Sequence, residues 1–296
     1  MKRNGLWPLA ALVVLSLAAL LAFAACGDDD EEDGNGEQPT AAETPAGDQT
    51  PAEGIDITGV SELEDGVLTI GSDIAYAPME FYIEGTETPD GLDVDIGKAI
   101  GALLGVEVEF VNSGFDGIIP ALNTEEFDII MSAMTVTDER SAEVDFVEYL
   151  SVGTGMLVPA DNPNGIETPD DLCGLTVAVQ LGTIQETVAN DLSADCAEPI
   201  NVVTFDTNPL AVEDLRTGGA DANLSDYPVA YVDAQASDGE LAVLPTQIGP
   251  DPYGIAVRKG STALRGVLQL AVGALIASGE YETILAKWDL ASAALP

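Results

Sequence analysis

From residue 67 onward, short apolar runs alternate with longer stretches whose apolar residues recur every three or four positions, the two periods of strands and amphipathic helices. "VLTIGSD" predicts a strand and "PMEFYI" a further short one. "GLDVDIGKAIGALLG" predicts a helix with Leu92, Ile96, Ile100 and Leu103 on one face, ended by Gly105. Strands at "VEVEFV" and "FDIIMSAM" flank a short helix at "GIIPALNT". Past Met156 the same rhythm predicts strands at "LTVAVQ", "VVTF", "ADANLSD" and "YGIAVRKG". It predicts helices at "TIQETVANDL", "PLAVEDLRTG" and "YPVAYVDAQ", and a long helix over residues 261–278 stopped by Gly279. Such alternation is the signature of an α/β layer fold.

The first 66 residues follow neither period. Lys2 and Arg3, an apolar run over residues 9–23 and then "AFAAC" read as an export signal over residues 1–26. The run is short for a membrane span and is followed by acid rather than base. The segment Phe23 to Cys26 resembles a lipobox, with Phe23 where leucine is usual, so Cys26 is expected to be lipidated and to become the mature N-terminus. Cleavage after Ala22-Phe23-Ala24 by an ordinary signal peptidase is the alternative. Residues 27–65 hold 14 acidic groups and no basic one, which predicts a disordered acidic tether.

A chain of 296 residues, 46% hydrophobic, can bury one large or two medium cores. Its formal charge of −43 makes nucleic acid and anionic lipid surfaces poor partners, leaving a lipid anchor as the expected membrane contact. There is no histidine, which excludes Ser-His-Asp and Cys-His catalysis and removes the commonest metal ligand. No cofactor or metal is implied. Lys and Arg number only nine, two of them in the leader. Arg140, in "DIIMSAMTVTDER", therefore stands out: just past a predicted strand and beside Ser132, Thr135 and Thr137, a guanidinium can hold a carboxylate bidentately. A surface ion pair is the plainer reading.

Other strand-end residues invite the same question, because ligands of open α/β sheets bind at the carboxyl ends of strands. They are Asp73, Tyr76, Phe115, the segment from Ser132 through Ala133 to Thr135, the loop from Gly182 through Thr183 and Ile184 to Gln185, and Ser225 with Asp226. Singly, the aspartates could start turns and the aromatics could be core. "QLGTIQE" would offer free N–H groups at a helix start, suited to a carboxylate. Cys173 and Cys196, in an exported chain, are expected to form a disulfide rather than remain two buried thiols.

"GLDVDIGKAIGALL" resembles the signature segment of the polar amino acid solute-binding proteins of ABC importers, the extracellular family-3 type. "GSDIAYAPMEF", "GFDGIIPAL", "IIMSAMTVTDER", "LTVAVQLGTIQET", "DANLSDYPVA", "YGIAVRKGS" and "GEYETILAKW" are similar to further family segments in the family's order, covering about residues 68–290. The resemblance implies a two-lobed, periplasmic-binding-protein-like (type II) α/β fold, each lobe a mixed sheet with flanking helices, joined by two hinge crossovers near "GTGMLVP" and "IGPDPYG". Lobe one is expected over residues 66–155 and 251–296, lobe two over 156–250.

The resemblance also assigns roles. Arg140, with amides near Thr135 and Ile184, grips the α-carboxylate. Asp226, with the Thr135 hydroxyl and the Ala133 carbonyl, takes the α-ammonium. Tyr76 and Phe115 sandwich the ligand's side chain, and Asp73 faces its tip. Gln185 matches binders of basic amino acids, whereas Gln180 departs both from these and from glutamine binders. The expected function is a monomeric, lipid-anchored extracytoplasmic receptor, not an enzyme, that closes on a polar or basic L-amino acid and delivers it to an ABC permease. The alternative on the same fold is an exported cyclohexadienyl dehydratase, with Asp73, Glu80 and Asp226 as candidate acids.

Overall fold

The computed structural model describes residues 54–295. The leader, Cys26 and most of the expected tether lie outside them. The end of that tether needs correction, because the Ile55 N–H donates to the Leu103 carbonyl at 3.2 Å and Val60 and Leu63 are buried in the first core. Acidic composition hid three apolar residues with a surface to cover.

The chain forms β1 (Val67–Ser72), the short β2 (Ala75–Tyr76), β3 (Glu80–Tyr82) and β4 (Pro89–Asp90), and then α1 (Leu92–Leu104). β5 (Glu107–Asn112), α2 (Ile118–Asn123), β6 (Ile129–Ile130) and α3 (Asp138–Glu143) follow. β7 (Val144–Pro159) leads to β8 (Thr176–Gln180), α4 (Ile184–Asp195), β9 (Asn201–Phe205), α5 (Asn208–Arg216), β10 (Ala222–Asp226) and α6 (Tyr227–Ala236). β11 (Leu241–Val243), β12 (Ile248–Arg258), α7 (Thr262–Ser278) and α8 (Glu280–Lys287) follow, with a short 3-10 turn at Ala291–Ala293 after them.

The main sheet runs β5-β1-β6-β12-β7-β10-β8-β9, with β11 also on β7. β1 is parallel to β5 and β6, and β8 to β9 and β10, whereas β7 and β12 pair antiparallel. This is the mixed α/β, two-lobed type II architecture, with one difference from the expectation of separate sheets. β7 and β12 cross between the lobes as strands, so the ladder runs unbroken. Where they cross, the register slips between Ile248 and Asp251, and Gly153 lets them touch: a Cβ there would lie 2.2 Å from the Gly249 carbonyl oxygen.

Each half of the sheet is covered on both faces. Around β1, one face packs Leu68 and Ile70 against Ile96 and Ile100 of α1 and Leu268 of α7, and the other packs Ile130 and Ala256 against Ile118 and Leu122 of α2. Around β8, Val177 and Val179 meet Ala189 of α4, while Ala178 meets Ala211 and Leu215 of α5 and Ala230 of α6. Strands buried on both faces read as continuous apolar runs. On α1, Leu104 is the buried end of the stripe and Leu103 is only half-buried. The left-handed Gly105 tightens the last turn, its N–H reaching the Ala102 carbonyl.

Cys173 and Cys196 are joined, with Cα atoms 5.5 Å apart, tying a short 3-10 turn to the end of α4. Replacing both cysteines with serine should lower the unfolding free energy by about 3 kcal/mol through the looser unfolded chain. A denaturation midpoint equal to the parent's would sink that expectation.

Candidate functional site

Parallel strands leave their carboxyl ends on one side, and in both lobes that side faces the cleft. β1 ends at Ser72, and the next residue, Asp73, donates its N–H to Ser132 Oγ at 2.9 Å, pinning the ends of β1 and β6 together. Beyond β6 the chain turns through Ala133, whose φ of 45° is left-handed and whose N–H donates to Asp93 Oδ2 at 2.8 Å.

Arg140 stands not at a strand end but in α3, ten residues past β6. Thr137 caps this helix, its hydroxyl accepting the Arg140 N–H at 3.1 Å. One guanidinium nitrogen donates to the Thr135 carbonyl at 2.8 Å, another to the Gly182 carbonyl of lobe two at 3.1 Å, and the group lies over the Phe115 ring, 5.2 Å from its centroid. Burial disfavours its charge, while Asp226 and Glu139 favour it. It is not a surface ion pair: among the described residues no carboxylate lies within ion-pair distance of it.

Lobe two supplies the facing wall. Gln180, ending β8, donates to the Asp73 carboxylate across the cleft. Thr183 caps α4 and donates to the Gln180 carbonyl at 2.7 Å. With Ile184 it brings to the wall a first turn whose leading N–H groups have no partner within the helix. Gln185 donates to Thr154 at 3.1 Å and to Asp226 Oδ1 at 3.0 Å. The Tyr76 hydroxyl crosses from lobe one, donating to Asp226 Oδ2 at 2.8 Å and accepting the Asp226 N–H at 3.0 Å.

One cleft is thus lined by all twelve residues expected there: Asp73, Tyr76, Phe115, Ser132, Ala133, Thr135, Arg140, Gln180, Thr183, Ile184, Gln185 and Asp226. The same ordered segments match the profile of the bacterial extracellular solute-binding proteins, family 3, over residues 68–291. The chain belongs to that family.

Its relatives in the family include the arginine-binding protein ArgT of Corynebacterium glutamicum, 32% identical over 76% of this chain and 75% of the relative. The L-arginine-binding protein of Pseudomonas aeruginosa is 33% identical over 76% of this chain and 88% of its own. Among solved structures, the ancestral amino acid-binding protein AncCDT-1, a precursor of cyclohexadienyl dehydratase, superposes with a TM-score of 0.72 at 36% identity, covering 77% of this chain and 98% of that one. All three are binding proteins. This family 3 chain likewise is an amino-acid-binding protein rather than an enzyme.

The cleft of this family 3 chain is acidic inside. Burial raises Asp226 to about 6, against the lowering effect of the nearby Tyr253 hydroxyl, of hydrogen bonds from Tyr76 and Gln185 and of the Arg140 charge. Burial also raises Asp73, which the Gln180 amide partly offsets. Sequence reasoning about the receptor missed Glu80, named only as an acid for the dehydratase, although it lines the cleft. It also missed the fully buried Tyr253 and Tyr149 beneath it. An acid inside the apolar run "PMEFYI" was the available signal for Glu80. The tyrosines sit in crossing strands whose pattern resembles any core strand.

Proposed function

We propose that this protein is a lipid-anchored extracytoplasmic receptor that closes on a basic or other polar L-amino acid, arginine and lysine foremost, and delivers it to an ABC permease. The observation that carries this reading is the placement of Arg140 and Asp226 on opposite walls of one cleft. The guanidinium suits the α-carboxylate, with help from the first turn of α4, and the Asp226 carboxylate suits the α-ammonium. Because one group belongs to each lobe, only a ligand carrying both charges rewards closure. Tyr76 and Phe115 line the same space, and the acids Asp73 and Glu80 in its wall favour a cationic side chain. The two arginine-binding relatives support that preference, and the Cys26 motif supports anchoring.

The test is a thermal-shift screen of the common amino acids. Stabilisation by L-arginine and L-lysine above all others is expected, of about 2.7 kcal/mol at a hundredfold excess over Kd. A preference for glutamate or aspartate would overturn the role given to Asp73.

A further inference from the structure

Beside Asp73 the cleft buries a second acid that the receptor reading alone does not explain. Glu80 is 1% exposed and lines the cleft. Its place is fixed by the start of α1, where the Leu92 and Asp93 N–H groups donate to the Pro78 and Met79 carbonyls, each at 2.9 Å. Gly91 permits this approach: its φ is 136°, and a Cβ there would sit 2.1 Å from the Met79 oxygen. Glu80 Oε1 accepts from Ser132 Oγ at 2.8 Å, the hydroxyl that itself accepts the Asp73 N–H.

Glu80 Oε2 is buried with no donor in reach, and the Glu80 carboxyl lies near enough to that of Asp93 for each to act on the other's ionisation. Asp93 already holds the donors that suit an anion, the Ala133 N–H at 2.8 Å and the Tyr149 hydroxyl at 2.7 and 2.8 Å from its two oxygens. Two buried carboxyls that interact this strongly do not both ionise, and the one with fewer donors keeps its proton. That one is Glu80. Burial, then the charge of Asp93, hold it well above the ordinary carboxylate range, while Asp93 is raised to about 6. Every titratable group facing the pair acts in the same direction or is a neutral phenol: Asp73 and Asp226 are acidic, Tyr76 and Tyr149 uncharged.

We propose that Glu80 is a proton-exchanging reader of the ligand's side chain: neutral beside Asp73 until a cationic side chain is seated, it then ionises and releases its proton to solvent. The inference rests on the receptor reading above. The Oε2–H bond breaks, the electron pair stays on the carboxylate, and one positive charge enters as another leaves, so the buried site keeps its net charge. A neutral side chain leaves the proton in place, where the acid can donate a hydrogen bond to an amide oxygen. Affinity for basic amino acids therefore rises with pH through the neutral range, because the bound form needs Glu80 ionised, and affinity for neutral ones does not.

Calorimetry of the full-length chain tests this with L-arginine and L-glutamine, each titrated in phosphate and in Tris at about pH 7.5, above the value of about 6 held by Asp226. The dependence of the observed heat on buffer ionisation counts protons. Release of about one proton per arginine and none per glutamine is expected. Glu80→Gln should abolish the release and cut the preference for arginine over glutamine by roughly tenfold. Should that variant fold poorly, the parent's infrared difference spectrum must still lose a protonated-carboxyl band on binding arginine. Arginine binding with buffer-independent heat, or unchanged release in Glu80→Gln, would overturn the proposal. Glutamine binding without arginine binding would overturn it and leave the receptor reading standing; binding of no amino acid would overturn both.

Discussion

Arg140→Ala should lose about 3–5 kcal/mol of amino acid binding, a drop in affinity on the order of a hundred- to several-thousandfold, for every ligand the parent accepts. The guanidinium is the cation that the cleft offers, since its other ionisable lining groups, Asp73, Glu80, Tyr76 and Asp226, are acids or phenols. Without it a buried ligand carboxylate would keep only hydroxyls and amides around Thr135 and α4. Arg140→Lys should recover little, because a point charge cannot replace two donors in a fixed fork. The fold should survive both changes: what holds the start of α3 is the backbone N–H of residue 140 on Thr137, which any residue but proline supplies. Calorimetry with arginine, lysine and glutamine reads the outcome, and parent-like affinity in Arg140→Ala would remove the carboxylate from this end of the cleft.

Why Arg140 could be singled out from sequence, and other features could not, follows from what each kind of signal encodes. Asp73 follows β1 and Asp226 closes β10, so their place at the cleft is legible from the strand pattern, whereas Gln180, which closes β8, stands out only through the family resemblance. Arg140 is conspicuous through scarcity, although its helix, only six residues long, has too weak a pattern to predict. β7 reads in sequence as a hinge over residues 153–159 and not as a strand of 16 residues. Buried on both faces for much of its length, it lacks alternation, and its two glycines imitate a loop. The proximity of Glu80 and Asp93 is invisible for another reason: it is made by two segments that only the docking of the β3 loop on α1 brings together. Residues 54–65 mislead through composition, since acid-rich flanks outweigh Ile55, Val60 and Leu63 in the sequence but not in the packing.

Asp226→Asn should weaken binding by about 2–5 kcal/mol for all ligands alike, since the α-ammonium it would face is common to them. The exchange is close in shape, and Tyr76 can still serve the new amide by accepting from it, so the loss would report charge rather than packing. The pH profile separates the two further. In the parent, Asp226 is raised to about 6, above the ordinary aspartate value because burial outweighs its hydrogen bonds. Below that value the free cleft holds a proton that an incoming ammonium must expel, so affinity falls as pH falls, by up to about tenfold per unit. Above it the carboxylate is already ionised, and a neutral ligand such as glutamine should bind with no further dependence on pH. The amide introduced by Asp226→Asn has nothing to titrate, so the variant's weak glutamine binding should stay level between about pH 5 and 7 while the parent's climbs. An acid limb that persisted in the variant would assign the titration to another group, with Asp93, raised to the same range, the next to replace.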